Sequence, residues 1–384
     1  MTFLDVHVIQ SVPPANLNRD ESGSPKTATY GGVLRARVSS QAWKRAVRTA
    51  FLDDPELAKD GGIRTKQLPQ VIADALTARR PDLGEHAHAI GAAATSALFK
   101  KVKLTSGKRD DRKVTEYLLF LGQEQIERVV DKLEGEDLET VAGDEKALQE
   151  RIAALKLDEL GVKGHAGAVA LFGRMIADAP ELNVDAACQV AHALSTHQIT
   201  ADQFDYFTAV DDESRADESG AGMIGSVEFN SATLYRFATV SLRDLKRNLD
   251  GETDRALHLA TAFARTFATS MPTGKQNSFA AHTRPDFIML SVRKDQPVSL
   301  IGAFEEPVKA PEGGIVPASV AALATYHKQQ DDMYGTAPVM SAMVYPAWLA
   351  ERVRNDKRTD LPDAVTLDAA LASVRACLAQ QLGA

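Results

Sequence analysis

Hydrophobic and polar positions change period several times along this chain. From Phe3 to Gln10 they alternate, with Leu4, Val6 and Val8 on one side and Asp5 and His7 on the other. That is the pattern of a half-buried strand, with His7 a partly exposed strand residue. Ser11 to Tyr30 is rich in Pro, Asn, Asp, Ser and Gly and reads as a long loop, which inside a compact domain is functional or disordered. Gly31-Gly32 suits a tight, positive-φ turn. Val33 to Val38 alternates again, with Leu34, Ala36 and Val38 inward and Arg35 and Arg37 outward. Ser39 and Ser40 can cap a helix. The period then lengthens: Trp43, Ala46, Val47, Ala50 and Phe51 form an apolar helical face, and Gln41, Lys44, Arg45 and Arg48 form a basic one.

From Thr65 to Leu160 the pattern is helical, with helices expected over Lys66–Ala78, His86–Phe99, Glu124–Leu133 and Glu145–Leu155, and an apolar run over Tyr117–Leu121. His86 and His88 are two apart, so a helix points them away from each other. Gly164 to Met175 reads as a strand closing in a turn, and Val184 to Thr196 as a short amphipathic helix in which His192, with the nearby His197, is a core or capping group. Ile199 to Ser226 lacks periodicity. It is acidic, with Asp202, Asp205, Asp211, Asp212, Glu213, Asp217 and Glu218, and it holds the aromatic pair Tyr206-Phe207. Its carboxylates could hold a divalent cation, but its glycines read as a solvated loop. Val227–Leu242 is the longest β-like stretch. Helices are expected over Thr253–Ala268, Val316–Gln330 and Leu367–Leu382, and a buried strand over Phe287–Val292. Gly274-Lys275 lacks the preceding GxxxxG frame of a phosphate-binding loop.

Composition narrows the function classes. The chain has 384 residues, a formal net charge of -8, 44% hydrophobic and 25% charged residues, ordinary for a globular protein. The pI near 5.7 argues against whole-surface DNA binding, so a nucleic-acid site must be local. One local exception exists: between Glu21 and Asp53 there is no acidic residue but six basic ones, Lys26, Arg35, Arg37, Lys44, Arg45 and Arg48. The helix start after Ser39-Ser40 lacks the usual acidic residues, so its free N–H groups are candidates to hold an external anion such as a phosphate. A solvated basic face is the alternative. Cys188 and Cys377 lie in helical apolar patterns without metal spacing and read as buried thiols of a reducing cytoplasm. No signal peptide is evident, and no apolar stretch approaches the ~20 residues of a membrane span.

Several short blocks together resemble one known family. Leu17-Asn18-Arg19-Asp20, Tyr30-Gly31-Gly32, Arg37-Val38-Ser39-Ser40-Gln41 and Lys44-Arg45 are similar to the N-terminal signature of the backbone subunit of the type I-E CRISPR surveillance complex Cascade. That family lies within the repeat-associated superfamily of RNA-recognition-like folds. Gly173-Arg174-Met175, Ala191-His192-Ala193 with Thr196-His197-Gln198, Phe207-Thr208-Ala209-Val210-Asp211-Asp212 and Gly274-Lys275-Gln276 continue the resemblance, which spans about Phe3 to Asp286.

The resemblance implies an α+β chain shaped as a hand. Residues 1–60, 161–198 and 227–384 form a ferredoxin-like, RNA-recognition-type palm with C-terminal helices. Residues 61–160 form helical fingers, and residues 199–226 a β-hairpin-like thumb. It implies a non-catalytic cytoplasmic subunit, without cofactor or metal, that stacks with copies of itself along a CRISPR RNA and presents the guide to a target DNA strand. Its other partners are the large, small, 5′-end and 3′-hairpin-binding subunits of Cascade. Combined with the basic stretch, the RNA-binding residues are Arg19, Lys26, Arg35, Arg37, Ser39, Ser40, Gln41, Lys44, Arg45, Arg48, Arg174, Met175, Lys275 and Gln276. Tyr206, Phe207, Thr208 and Val210 are the thumb residues that displace a base. A guide-holding protein should contact phosphate and sugar and leave pairing edges free. A related class uses similar subunits to cut RNA with an aspartate and a metal, and Asp20 lies in the corresponding loop. Only Glu21 adjoins it, whereas a hydrolytic site would usually need further oxygen ligands or a base.

Overall fold

A computed structural model describes residues 1–107, 112–176, 179–200, 203–208, 224–309, 314–355 and 361–383. The fold is α+β and divides into two compact units. The first comprises Met1–Val47, Val190–Val240 and Ala260–Ala384; the second comprises Arg48–Gln189 and Ser241–Leu259.

The first unit is organised by a sheet. Its strands run in the order Met340–Val344, Phe287–Arg293, Phe3–Ala15, Ile224–Ser241, Ala193–Ser195, Val33–Val38 and Thr27–Tyr30. Registers such as Phe3↔Arg293, Leu234↔Ser195, Arg37↔Leu194 and Thr27↔Ala36 are antiparallel. The opening strand is central and covered on both faces, so Leu4, Val6 and Val8 are buried, but so are Asp5 and His7. The expectation of a partly exposed His7 is corrected. Its Nδ1 is hydrogen-bonded to the Tyr235 hydroxyl at 2.9 Å, and that hydroxyl accepts the Leu300 N–H at 3.0 Å. Burial drives the His7 pKa down to about 3. One core layer joins Ile9, Tyr235, Phe237, Phe287, Leu300 and Phe304 to the helix Ile315–Tyr334 through Val320 and Leu323.

The strand pair Thr27–Tyr30 and Val33–Val38 is closed by Gly31 and Gly32 at φ +58° and +75°, as a two-residue primed turn requires. A Cβ on Gly31 would also strike the Glu305 carbonyl. The strand Gln203–Thr208 pairs with the start of the long strand as an antiparallel ribbon, Phe204↔Glu228 and Tyr206↔Ser226.

The second unit is mainly helical. Leu68–Arg79, Ala87–Leu98, Gln123–Glu134 and Glu145–Ala153 lie within two residues of their expected bounds. They enclose a core that includes Ile72, Leu76, Ile90, Leu98, Phe99, Ile126, Val129, Leu133 and Ile152.

Two expected elements change type. The Gly164–Met175 strand is instead the helix Gly167–Phe172. Ala166 to Leu171 is buried throughout, so no polar face was available to set a period. The Val184–Thr196 helix is instead the short strands Cys188–Val190 and Ala193–Ser195, held by pairing with distant strands. Cys188 thus lies on a strand, buried, and Cys377 on the helix Leu367–Leu382, only half-buried; neither is in a disulfide among the described residues.

Candidate nucleic-acid interface

The basic helix starts where its sequence places it, over Ser40–Asp53, with no acidic residue in its first turn. Trp43, Ala46, Val47 and Phe51 are buried. Gln41 and Arg45 are exposed, and Lys44 and Arg48 are half-buried. The apolar face holds the helix down and the basic face remains outside. Trp43 is anchored from below by Arg236, whose guanidinium lies 3.7 Å from the indole ring centroid and donates to the Gln10 side chain and the Phe267 carbonyl. Burial pushes the Arg236 pKa down to about 9. Carbonyl dipoles near the end of the helix Thr253–Thr269 solvate this cation in place of a carboxylate.

Two segments far apart in sequence meet the helix start, and a third packs against the first of them. Asn18 Oδ1 accepts the Ser39 N–H at 2.9 Å, and His192 Nδ1 accepts the Ser40 N–H at 3.0 Å. The Ser39 hydroxyl accepts the Ala42 N–H at 3.3 Å, making Ser39 a buried cap rather than a surface contact. This corrects the expectation of an open helix start. The Ser39, Ser40, Ala42 and Trp43 N–H groups already have protein acceptors, and the Gln41 N–H is the one there without a protein partner among the described residues. The third segment is the loop before the short helix Gln276–Phe279. Gly274 lies so close to the Asn16 and Leu17 carbonyls that a Cβ would strike them. Lys275 is held at φ +52°, a strained value for a non-glycine residue and one that clusters at functional sites. Gln276 Nε2 donates to the Pro272 carbonyl at 3.2 Å, and its Oε1 is buried without a protein partner.

The cations around this junction are held by backbone contacts or left without ion pairs among the described residues. Arg37 Nε donates to the Thr27 carbonyl at 3.0 Å, which fixes its guanidinium at the sheet margin. Lys26 and Arg37 are linked through backbone, Arg37 N–H to the Lys26 carbonyl at 2.9 Å. Arg19 is exposed on the loop below. Among the described residues none of Arg19, Lys26, Arg37, Lys44, Arg45 and Lys275 forms an ion pair. Uncompensated cations that share one junction raise a local positive potential on an otherwise acidic chain. Arg48 extends the same helix face, and its guanidinium lies 5.6 Å from the Phe172 ring centroid.

Two expected contacts are corrected. Arg35 is fully buried. Its guanidinium donates to the carbonyls of Tyr30, Ser195, Phe304 and Glu305, and burial lowers its pKa. Leu34, assigned inward by alternation, is instead 39% exposed. Arg174 belongs to the helical unit and is also buried, donating to the Gly161 and Leu182 carbonyls; burial pushes its pKa down to about 10. The adjacent Met175 is 82% exposed.

Tyr206 is 68% exposed on the ribbon. Phe204, which sequence reasoning missed, is 61% exposed two residues earlier and meets Tyr206 edge to face with ring centroids 5.6 Å apart. Strand alternation at i and i+2 was the available signal. Phe207 and Thr208 lie on the same strand, paired with Gly225 and Ile224. Val210 and the acidic residues 211–218 lie outside the described residues, as does Asp202. Asp20 is engaged within its own loop. Its Oδ1 accepts the Ser22 N–H at 2.9 Å, the Ser22 hydroxyl at 2.7 Å and the Ser24 N–H at 3.0 Å. The Ser22 hydroxyl holds its carboxyl below the usual range.

A family model described as CT1975-like protein, Cas_CT1975, matches residues 4–372. No curated protein matches the chain. A chain of a structure titled "CRISPR RNA-guided surveillance complex, pre-nicking" is similar at 30% identity and a TM-score of 0.79, over 98% of this chain and 100% of that one. A chain of a second structure, "CRISPR RNA-guided surveillance complex", is similar at 26% identity and a TM-score of 0.71, over 98% and 99%. The chain therefore belongs to the Cas_CT1975 family of CT1975-like proteins, and its kinship to the Cascade backbone, resting in sequence on a few short blocks, extends over nearly its whole length.

Proposed function

We propose that this protein is a non-catalytic, CRISPR RNA-binding backbone subunit of a type I-E-like Cascade complex. It stacks in several copies along the guide in the cytoplasm and offers the guide for pairing with target DNA, beside the other Cascade subunits. In this reading the sheet unit is an RNA-recognition-type palm, the helical unit supplies the fingers, and the ribbon bearing Phe204 and Tyr206 leads into the thumb. Membership of the family and similarity to surveillance-complex chains support the setting. The observation that carries the RNA role is the junction of Lys26, Arg37, Lys44, Arg45 and Lys275, five cations without ion pairs among the described residues, on an acidic chain. Such a set grips phosphates of any sequence, as a guide holder must. The aromatic ribbon is equally indifferent to base identity, because every base presents a π-face.

Asp20 is given an ordering role rather than a hydrolytic one, since its carboxylate oxygen already accepts three donors of its own loop. The test is to purify the chain with a CRISPR array expressed beside it and to sequence the nucleic acid it retains. A discrete short repeat-derived RNA is expected, and Lys26→Ala/Lys44→Ala/Arg45→Ala should lose most of it. Equal retention by the triple variant would overturn the proposal. So would a magnesium-dependent cut in a paired target RNA that Asp20→Ala abolishes.

A further inference from the structure

His192 is placed by the fold at the same junction yet has no role in the reading above beyond capping. Its neighbours Ala193 and Leu194 pair with Val38 and Arg37, which sets residue 192 beside the point where strand becomes helix. The ring is exposed. Its Nδ1 accepts the Ser40 N–H, so the single proton of the neutral imidazole sits on Nε2. Among the described residues Nε2 has no protein partner.

We infer that His192 is a further contact of this interface, a neutral donor whose Nε2–H bonds an oxygen of the ribose–phosphate backbone of the bound strand. The inference rests on the RNA-binding reading and deepens it. Partial burial, then the charges of Arg37 and Lys26, hold the imidazole below its usual pKa, in keeping with the acceptor role of Nδ1. The two nitrogens therefore divide the work. One fixes the first turn of the helix, and the other gives the strand a directed hydrogen bond. Lys26, Lys44 and Lys275 draw the backbone in without fixing its rotation, because ammonium groups are weakly directional. A ring locked by the Ser40 amide adds a directed contact beside them. The oxygen it meets belongs to a phosphate or to a ribose 2′-hydroxyl.

The test is the binding of a labelled mixed-sequence RNA by the full chain over a salt series. His192→Ala should weaken binding roughly three- to tenfold at each salt concentration, the range of one neutral hydrogen bond. The slope of log K against log salt should stay as in the wild type, because no counterion-releasing charge is lost. His192→Asn, whose amide can both accept from Ser40 and donate, should recover most of the loss, which restored packing alone would not. On DNA of the same sequence, an equal loss identifies a phosphate oxygen and no loss identifies the 2′-hydroxyl. Unchanged affinity in His192→Ala overturns the inference, as does a loss accompanied by a flattened slope, which marks a merely structural residue. Failure of the RNA-binding reading is distinguishable, because Lys44→Ala/Arg45→Ala would then leave both affinity and slope unchanged.

Discussion

Arg35 and Arg37 lie two residues apart on one strand and meet opposite fates. Arg37 is tied to the sheet margin by one carbonyl and stays accessible beside Lys26 and the basic helix. Arg35 lies in the interior of the same unit, where four carbonyls take up its donors. The difference separates two regions, a cationic rim whose charges stay accessible and an interior in which charged and titratable groups hold the sheet together. Arginine serves both because its delocalised cation is weakly hydrated and presents five donors in a rigid fork. Arg236 repeats the interior pattern under the entrance helix, so a buried cation positions the surface that carries the exposed ones.

Substitutions should keep these regions apart. Arg35→Ala is expected to cost about 3 kcal/mol in chemical denaturation, because it strands several buried carbonyls. The matching Arg37→Ala should leave stability within ~0.5 kcal/mol while weakening RNA binding. If Arg35→Ala proved as stable as wild type, the division between rim and interior would fail. Gly31→Ala, at φ +58° and against the Glu305 carbonyl, should cost about 2 kcal/mol by the same measurement.

The titrating pair on the opening strand gives a smaller, pH-dependent effect. His7 titrates at about 3 instead of 6.5, so below pH 6.5 the unfolded chain binds a proton that the folded chain refuses. Stability from His7 therefore falls as pH drops toward 3. Asp5, buried and raised to about 6 from 3.8, acts in the opposite sense: between those values the folded chain binds the extra proton and gains stability as pH falls. The two offset one another in that window. Asp5→Asn should expose the His7 loss, steepening the acid limb of a pH–stability curve by roughly 1 kcal/mol per pH unit. An unchanged limb would show that these groups titrate alike in both states.

Much of this fold was legible in the sequence. The entrance helix, four helices of the second unit and the helix Leu367–Leu382 each carry a period of 3.6 with one apolar face; the first starts where its serines place it, and the others form close to their expected bounds. Legibility failed where both faces of an element are buried. Asp5, His7 and Arg35 alternate with apolar residues as exposed positions would, but a second layer covers that side, and only tertiary structure supplies the layer. Ala193–Ser195 is a strand because its partners are strands. The candidate site was legible as a set of cations. The hydrogen bonds that close the helix start were not, because Asn18 and His192 arrive from 21 and 152 residues away.

The most direct test of the central claim is the salt dependence of binding to two RNAs of equal length and unrelated sequence, for the wild type and for Lys44→Ala/Arg45→Ala. The double variant is expected to lose the same affinity on both RNAs, with a slope that shrinks by about 1.4, near 0.7 for each phosphate contact on a single strand. An unchanged slope, or a loss confined to one sequence, would contradict it.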